Sequence, residues 1–195
     1  MEPLFDLPGR VLALGTGAST CAVIDALLRF HAGKQNARPI TLYVVGADGG
    51  TPLPAADALL LTGVIRVVRP PVRTVGLGLL QGWQPLVLAC GTVGERFLLP
   101  QTLLAPGRLD LSAASMPRRP VGLYQVAPLP RRDTIEECLQ KQFESLLSDL
   151  NLTPELFTEP RIWTAQEAVT NHLADQVVER ILTPQLSPAI HPVLK

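Results

Sequence analysis

The amino-acid sequence predicts a single α/β domain, and three observations carry this prediction. Short apolar runs typical of β-strands alternate with helical runs through the first two-thirds of the chain. Glycine-rich turns close some of these runs, as at residues 46–50. The length of 195 residues is sufficient for one domain with a substantial core.

The predicted elements follow one another along the chain in a mostly alternating order. The expected strands cover residues 10–15, 40–45, 72–77, 95–99, 102–105 and 176–181. The expected helices cover residues 20–32, 54–68, 82–90, 134–150 and a segment from residue 164 through residue 175. Asp133 is the expected N-cap of the fourth helix, and Thr164 and Glu167 have the spacing of a capping box.

The fourth predicted helix, residues 134–150, carries a continuous apolar stripe. The stripe holds Ile135, Cys138, Leu139, Phe143, Leu146 and Leu147 at helical spacing. Because an isolated helix does not leave so much apolar surface in water, we expect this helix to pack between subunits. Residues 107–120 before it have the glycine, serine and proline content of a loop. The domain is expected to span residues 1–182, followed by an extended tail over residues 183–195.

The composition excludes several classes of function. The formal net charge is zero, so no overall field favours nucleic acid or anionic lipid. Hydrophobic residues make up 47% of the chain, but no uninterrupted apolar run is long enough to span a bilayer. The three cysteines have no metal-like spacing and indicate a reducing cytoplasm. We therefore expect an oligomeric protein in the cytoplasm without a cofactor or metal.

Four local strings, in the same order, resemble the Clp protease family of ClpP-like serine peptidase subunits. They are RVLALGT at residues 10–16, the strand and paired glycines of residues 40–52, residues 72–100 with their ending GERFLLP, and WTAQEA at residues 163–168 followed by LAD. The resemblance covers roughly residues 10–182. It implies the crotonase-like ClpP fold, in which stacked β-β-α units form a head and a handle protrudes. The handle would comprise about residues 121–150, with Tyr124, Phe143 and Leu146 in the contacts between subunits.

The resemblance also implies where a catalytic triad would lie. A serine hydroxyl becomes a nucleophile only when a histidine accepts its proton and a carboxylate orients that histidine. The serine position falls on Gly82 and the acid position on Pro160. The histidine position falls on Gly107 or, if residues 107–120 contain an insertion, towards Arg118 or Arg119, and no histidine lies between His31 and His172. None of these residues can take its role, so the chain is expected to have no peptidase activity.

Gly49 and Gly50 match the turn that supplies oxyanion-hole amides in the family. A turn needs glycine for its backbone angles in any case, so we interpret the two glycines as structural. Among other nucleophiles, Cys90 lies on an apolar helix and is expected in the core. Ser112 and Ser115 lie in the irregular loop, far in sequence from any histidine.

In the family, seven subunits form a ring, two rings stack into a barrel and a ring-shaped ATPase docks on its ends. The resemblance therefore implies a non-catalytic, ClpR-type subunit that forms a mixed ring with active ClpP-type subunits and meets a Clp ATPase. Its compartment would be the cytoplasm, or the plastid stroma if a transit peptide has been removed. The alternatives are a homo-oligomeric scaffold or binding protein without a proteolytic role, and an enzyme of another crotonase-like chemistry.

Overall fold

The computed structural model describes residues 10–15, 19–33, 38–46, 53–106, 132–159 and 161–179, with backbone only at residues 132, 133 and 135. The strands are β1 (Val11–Leu14), β2 (Ile40–Val45), β3 (Val72–Leu77), β4 (Leu79–Gln81), β5 (Arg96–Leu98), β6 (Leu103–Ala105), β7 (Trp163–Thr164) and β8 (Gln176–Val177). The helices are α1 (Thr20–Ala32), α2 (Ala55–Val67), α3 (Gln84–Ala89), α4 (Arg132–Leu150) and α5 (Ala165–Thr170), with a 3-10 turn at Pro154–Phe157. The α/β class expected from the sequence is thus confirmed.

The larger sheet contains five parallel strands in the order β1-β2-β3-β5-β8. The helices α1 and α2 connect β1 to β2 and β2 to β3, and the usual right-handed crossover places both on the same face of the sheet. Helix α3 lies on this face too, because the Thr74 hydroxyl donates a hydrogen bond to the Leu88 carbonyl at 2.8 Å. Alternate strand residues that point to these helices, such as Leu42 and Val44, are fully buried.

The smaller sheet has three strands in the order β4-β6-β7. Strand β4 follows β3 after Gly78, whose positive φ of 74° turns the chain out of the large sheet. Strands β4 and β6 are parallel, with Leu79 opposite Leu103, while β6 and β7 are antiparallel. This short sheet holds the turn that follows Gln81 against the rest of the head.

Helix α4 differs in two ways from the prediction. It begins at Arg132, so Asp133 lies inside the first turn and is not its N-cap. Phe143 and Leu146 are 7% and 5% exposed in the isolated chain, within the same core cluster as the sheet residues. The chain's own core therefore covers the part of the stripe that we expected between subunits, because Trp83 and Phe157 both contact the Phe143 ring.

Helix α5 begins as predicted and ends early. Thr164 and Glu167 form the expected capping box, with the Thr164 N–H donating to Glu167 Oε2 at 2.9 Å. The helix ends at Thr170, and His172 adopts a left-handed φ of 62° that a continuing helix excludes. Among the described residues, no helix combines the length and hydropathy that a membrane span requires.

Candidate functional site

The turn between β4 and α3 contains Gly82, the residue on which the resemblance places the family's nucleophile position. Gly82 occupies this strand–turn–helix junction with a φ of 57°, and its N–H donates a hydrogen bond to the Ala105 carbonyl at 3.1 Å. A Cβ placed on Gly82 would meet no atom within 4 Å, so the space for a side chain exists. The position is therefore open, and glycine provides neither a hydroxyl nor a thiol there.

The Gln84 side chain forms two hydrogen bonds beside Gly82 that the sequence did not indicate. Its Oε1 accepts a hydrogen bond from the Gln81 N–H at 3.0 Å, and its Nε2 donates to the Val45 carbonyl at 3.3 Å. One amide side chain thereby bridges the end of β2 and the turn around Gly82. Both ends of this amide are used for backbone hydrogen bonds, so Gln84 stabilises the turn and has no acid–base role.

Trp83, the residue after Gly82, packs into the core and stabilises the same turn. Its side chain is 4% exposed, and its ring meets the Phe143 ring edge-on with centroids 5.6 Å apart. Phe143 in turn meets Phe157 edge-on at 5.9 Å. These T-shaped contacts connect the turn to α4 and to the 3-10 turn after it, which fixes the backbone at Gly82 by packing.

A close crossing of two backbone segments lies beside the turn. The Gly46 N–H donates to the Leu77 carbonyl at 2.8 Å, and a Cβ on Gly46 would overlap the carbonyl group of Leu79. Strand β2 therefore ends against β4. Gly49 and Gly50 themselves lie outside the described residues.

No histidine of the described segments is in a position to act on Gly82. His31 accepts a hydrogen bond from the Arg69 N–H at 3.2 Å, at the amino end of β3, whereas Gly82 lies beyond the carboxyl end of that strand. The His172 carbonyl and the Ala89 carbonyl accept from the same Arg96 Nη1. His172 thus lies near the last residue of α3, at the opposite end from Gly82.

The buried thiol of Cys90 is not a candidate nucleophile, and three of the predicted positions are not described by the structure. Gly107, Pro160 and Tyr124 lie outside the described residues. Burial raises the pKa of the Cys90 thiol to about 12, so it is a protonated core residue at neutral pH. In the described parts of the chain, no three metal-ligating side chains come together.

Arg96 and Asp175 form an ion pair near the carboxyl end of α3. Arg96 belongs to the string GERFLLP and Asp175 to the string LAD, two of the segments that resemble the family. Arg96 Nη2 and Nε donate to the two oxygens of Asp175 at 2.5 and 2.9 Å. The N–H groups of Gly94 and Arg96 also donate to Asp175, at 2.7 and 3.0 Å. Burial alone would raise the pKa of Asp175, but the hydrogen bonds and charge of Arg96 lower it overall.

Comparison with known proteins agrees with this geometry. Residues 11–106 match the family model described as Clp protease. The ATP-dependent Clp protease proteolytic subunit 2 of Gloeobacter violaceus is 28% identical over 185 residues, which cover 89% of this chain and 80% of that relative. The chloroplastic subunit 4 of Arabidopsis thaliana is 25% identical over 177 residues, covering 87% of this chain and 56% of the relative.

A solved structure, of a peptidase from Plasmodium falciparum, has the same fold. It superposes with a TM-score of 0.68 at 19% identity, covering 88% of this chain and 96% of that one. A subunit 2 of Thermobifida fusca is 29% identical over 111 residues, and the match spans about half of each protein, 52% of both.

Proposed function

Because this chain belongs to the Clp protease family and has the ClpP fold, we propose that it is a non-catalytic subunit of a Clp protease complex. In this proposal it forms a mixed ring with active ClpP-type subunits, on which a Clp ATPase docks. Its compartment is the cytoplasm or, as for the chloroplastic relative, a plastid. The observation that carries the proposal is Gly82, a residue without a side chain at the strand–turn–helix junction of the nucleophile.

Three further observations support the loss of activity. Residues 77–86 contain no serine, threonine or cysteine that a small shift could bring to the junction. Gln84 spans the space beside Gly82 with two backbone hydrogen bonds. The sequence has glycine and proline, Gly107 and Pro160, where the family's histidine and acid would stand.

The test has a chemical part and an assembly part. The purified chain is expected to hydrolyse neither peptides nor casein and to resist labelling by a fluorophosphonate. Gly82→Ser should fold and remain unlabelled, because a serine without a base is a poor nucleophile. Stoichiometric labelling of any serine in the unmodified chain, lost when that serine is replaced, would contradict the proposal.

The assembly part uses the tagged chain expressed in its own cells. Mass spectrometry of the purified complex is expected to find ClpP-type subunits with an intact serine, histidine and acid. The purified complex should degrade casein, and blocking the serine of the partner subunit should abolish this activity completely. A homo-oligomer without any such partner would favour the alternative of a scaffold protein.

A further inference from the structure

Three arginines lie at the amino edge of the large sheet. Arg10 comes directly before β1, Arg38 stands two residues before β2, and Arg69 stands three residues before β3. Because these strands are adjacent and parallel, their amino ends meet at one edge, where the Thr41 N–H donates to the Arg10 carbonyl at 3.0 Å. The first and third strands are about 10 Å apart. We refer to Arg10, Arg38 and Arg69 as the arginine edge.

Helix α1 ends at the same edge. The His31 Nδ1 accepts a hydrogen bond from the Arg69 N–H at 3.2 Å, and Arg10 Nη2 donates to the Phe30 carbonyl at 3.4 Å. The Arg10 guanidinium also lies over the Phe30 ring, 4.8 Å from its centroid. Arg10 therefore stabilises the end of α1, where a cation is favourable beside the last carbonyls of a helix.

The described residues place no carboxylate against the arginine edge. Neither Arg38 nor Arg69 forms an ion pair within the described segments, whereas Arg29 on α1 pairs with Asp25 at 2.8 Å. Partial burial and the charge of Arg38 both lower the pKa of Arg10, so two guanidinium groups repel each other here. The edge therefore has a positive potential that a bound anion would relieve.

Proline follows both of the outward-facing arginines in the sequence. Arg38 precedes Pro39, and Arg69 precedes Pro70 and Pro71. A residue before proline is restricted to extended conformations. Both arginines are exposed while Pro70 is buried, so the backbone is fixed and the charged residues remain accessible. Less conformational entropy is lost when a partner binds to such an ordered surface.

The spacing of the arginine edge suits an extended acidic peptide. A guanidinium binds a carboxylate through two parallel hydrogen bonds. Alternate side chains of an extended peptide lie on one side about 7 Å apart, so two acidic residues at alternate positions fit within a span of about 10 Å. Nucleic acid is a poorer match, because its binding depends on neutralising many phosphates and this chain has a formal net charge of zero.

We propose that the arginine edge binds an extended acidic segment of a partner protein, with Arg38 and Arg69 as the residues that bind its carboxylates. Arg10 stays on the end of α1 and adds to the positive potential. This proposal does not rest on the loss of peptidase activity or on a mixed ring, and either can fail without the other.

Fluorescence anisotropy of a labelled peptide in which glutamate alternates with serine tests the proposal. Arg38→Gln with Arg69→Gln is expected to weaken binding about tenfold or more, because both carboxylate-binding side chains are lost. The control Arg29→Gln with Lys141→Gln removes the same charge from exposed positions and should change the affinity less than about twofold. Equal losses in the two double variants, or no binding to the unmodified chain, would overturn the proposal. Tighter binding of a single-stranded oligonucleotide would assign the edge to nucleic acid and also overturn it.

Phenylglyoxal, which reacts with arginine guanidinium groups, gives a second test that needs no variant. Mass spectrometry is expected to find Arg38 and Arg69 reactive in the chain alone and protected when the peptide is added, while Arg29 reacts equally in both cases. Reactivity of Arg38 and Arg69 that the peptide does not change would contradict the proposal. If both were unreactive before the peptide was added, carboxylates of the chain itself or of a second copy would take the partner's place, which would overturn it as well.

Discussion

At the scale of single residues, the Arg96–Asp175 pair is the most connected polar group described. The Arg96 side chain is 8% exposed and that of Asp175 is 16% exposed. The guanidinium joins β5 to the end of α3 and to the segment after α5, through the Ala89 and His172 carbonyls. Removing one partner of such a pair leaves a buried charge without compensation, which is more damaging than removing both.

Asp175→Asn is therefore expected to lower the free energy of unfolding by about 3 kcal/mol. The matched control is Asp149→Asn, which breaks the exposed pair with Arg66 and should change stability by no more than about 1 kcal/mol. Urea denaturation of the three proteins at pH 7 gives the comparison. Equal losses in the two variants would contradict the role given to Asp175.

The same pair predicts a pH dependence. Because the pKa of Asp175 is lower in the folded chain than its ordinary value, its contribution is complete above that ordinary value. The contribution is lost as the pH falls below about 4, towards the folded pKa. The stability difference between the unmodified chain and Asp175→Asn should therefore shrink between pH 5 and pH 3. A difference that stays constant over this range would show that Asp175 does not titrate as described.

The two glycines near the site should respond differently to an added methyl group. Gly46→Ala is expected to destabilise the head strongly, because its Cβ would overlap the backbone of Leu79 and Leu80. Gly82→Ala has space and should lose only about 1 to 2 kcal/mol through its left-handed backbone. Thermal unfolding of both variants shows which one is less stable. A Gly46→Ala chain as stable as Gly82→Ala would contradict the close approach of Gly46 to the backbone of Leu79.

At the scale of elements, α4 has a second role beside any contact between subunits. Its apolar residues Leu139, Phe143, Leu146 and Leu147 are all buried against the head. The Phe143 ring lies between Trp83 and Phe157, so this helix supports the turn at Gly82 from behind. The surfaces of α4 left for a neighbouring subunit are therefore its exposed sides, which include Cys138, a residue that the sequence had placed in the apolar stripe.

Phe143→Ala is expected to reduce the free energy of unfolding by about 3 to 5 kcal/mol, because it leaves a cavity between two aromatic rings. The neighbouring Glu144→Ala, on the exposed side of α4, should change it by no more than about 0.5 kcal/mol. Chemical denaturation at a concentration where the oligomeric state is constant measures both. If Phe143→Ala dissociated an oligomer but left the stability of the monomer unchanged, Phe143 would instead belong to a contact between subunits.

At the scale of the whole molecule, the contact between two stacked rings is expected from the sequence to be weak. In the family, a strand before the handle helix pairs with its counterpart in the facing ring. The matching residues 122–131, outside the described part of the chain, contain Pro128 and Pro130, which have no N–H to donate. Each lost hydrogen bond weakens the contact between the two rings by about 1 kcal/mol, and the same loss occurs in every subunit of a ring.

We therefore expect the chain alone not to form a stable particle of two rings in native mass spectrometry. Pro128→Val with Pro130→Val should increase the population of double rings, whereas Pro184→Val outside this segment should not. A stable fourteen-subunit particle of the unmodified chain, persisting on dilution at moderate salt, would refute this expectation.

The sequence by itself determined the elements that depend on local patterns. Strands β2 and β3 have the predicted bounds, and the capping box of α5 forms as expected, because alternation and capping involve only neighbouring residues. That residue 82 has neither a hydroxyl nor a thiol was also readable directly, since glycine has no side chain in any fold. Four strings in order were sufficient to indicate the family.

Only the tertiary structure decided the features that depend on distant residues. Strands β4 and β7 are three and two residues long, and they are strands only because both pair with β6. The sequence assigned Gly82 to a helix, whereas its left-handed backbone ends β4 and delays α3 to Gln84. Likewise, the hydrogen bond from the Gln84 side chain to the Val45 carbonyl joins residues that are 39 positions apart in the sequence. A local sequence pattern therefore cannot predict it.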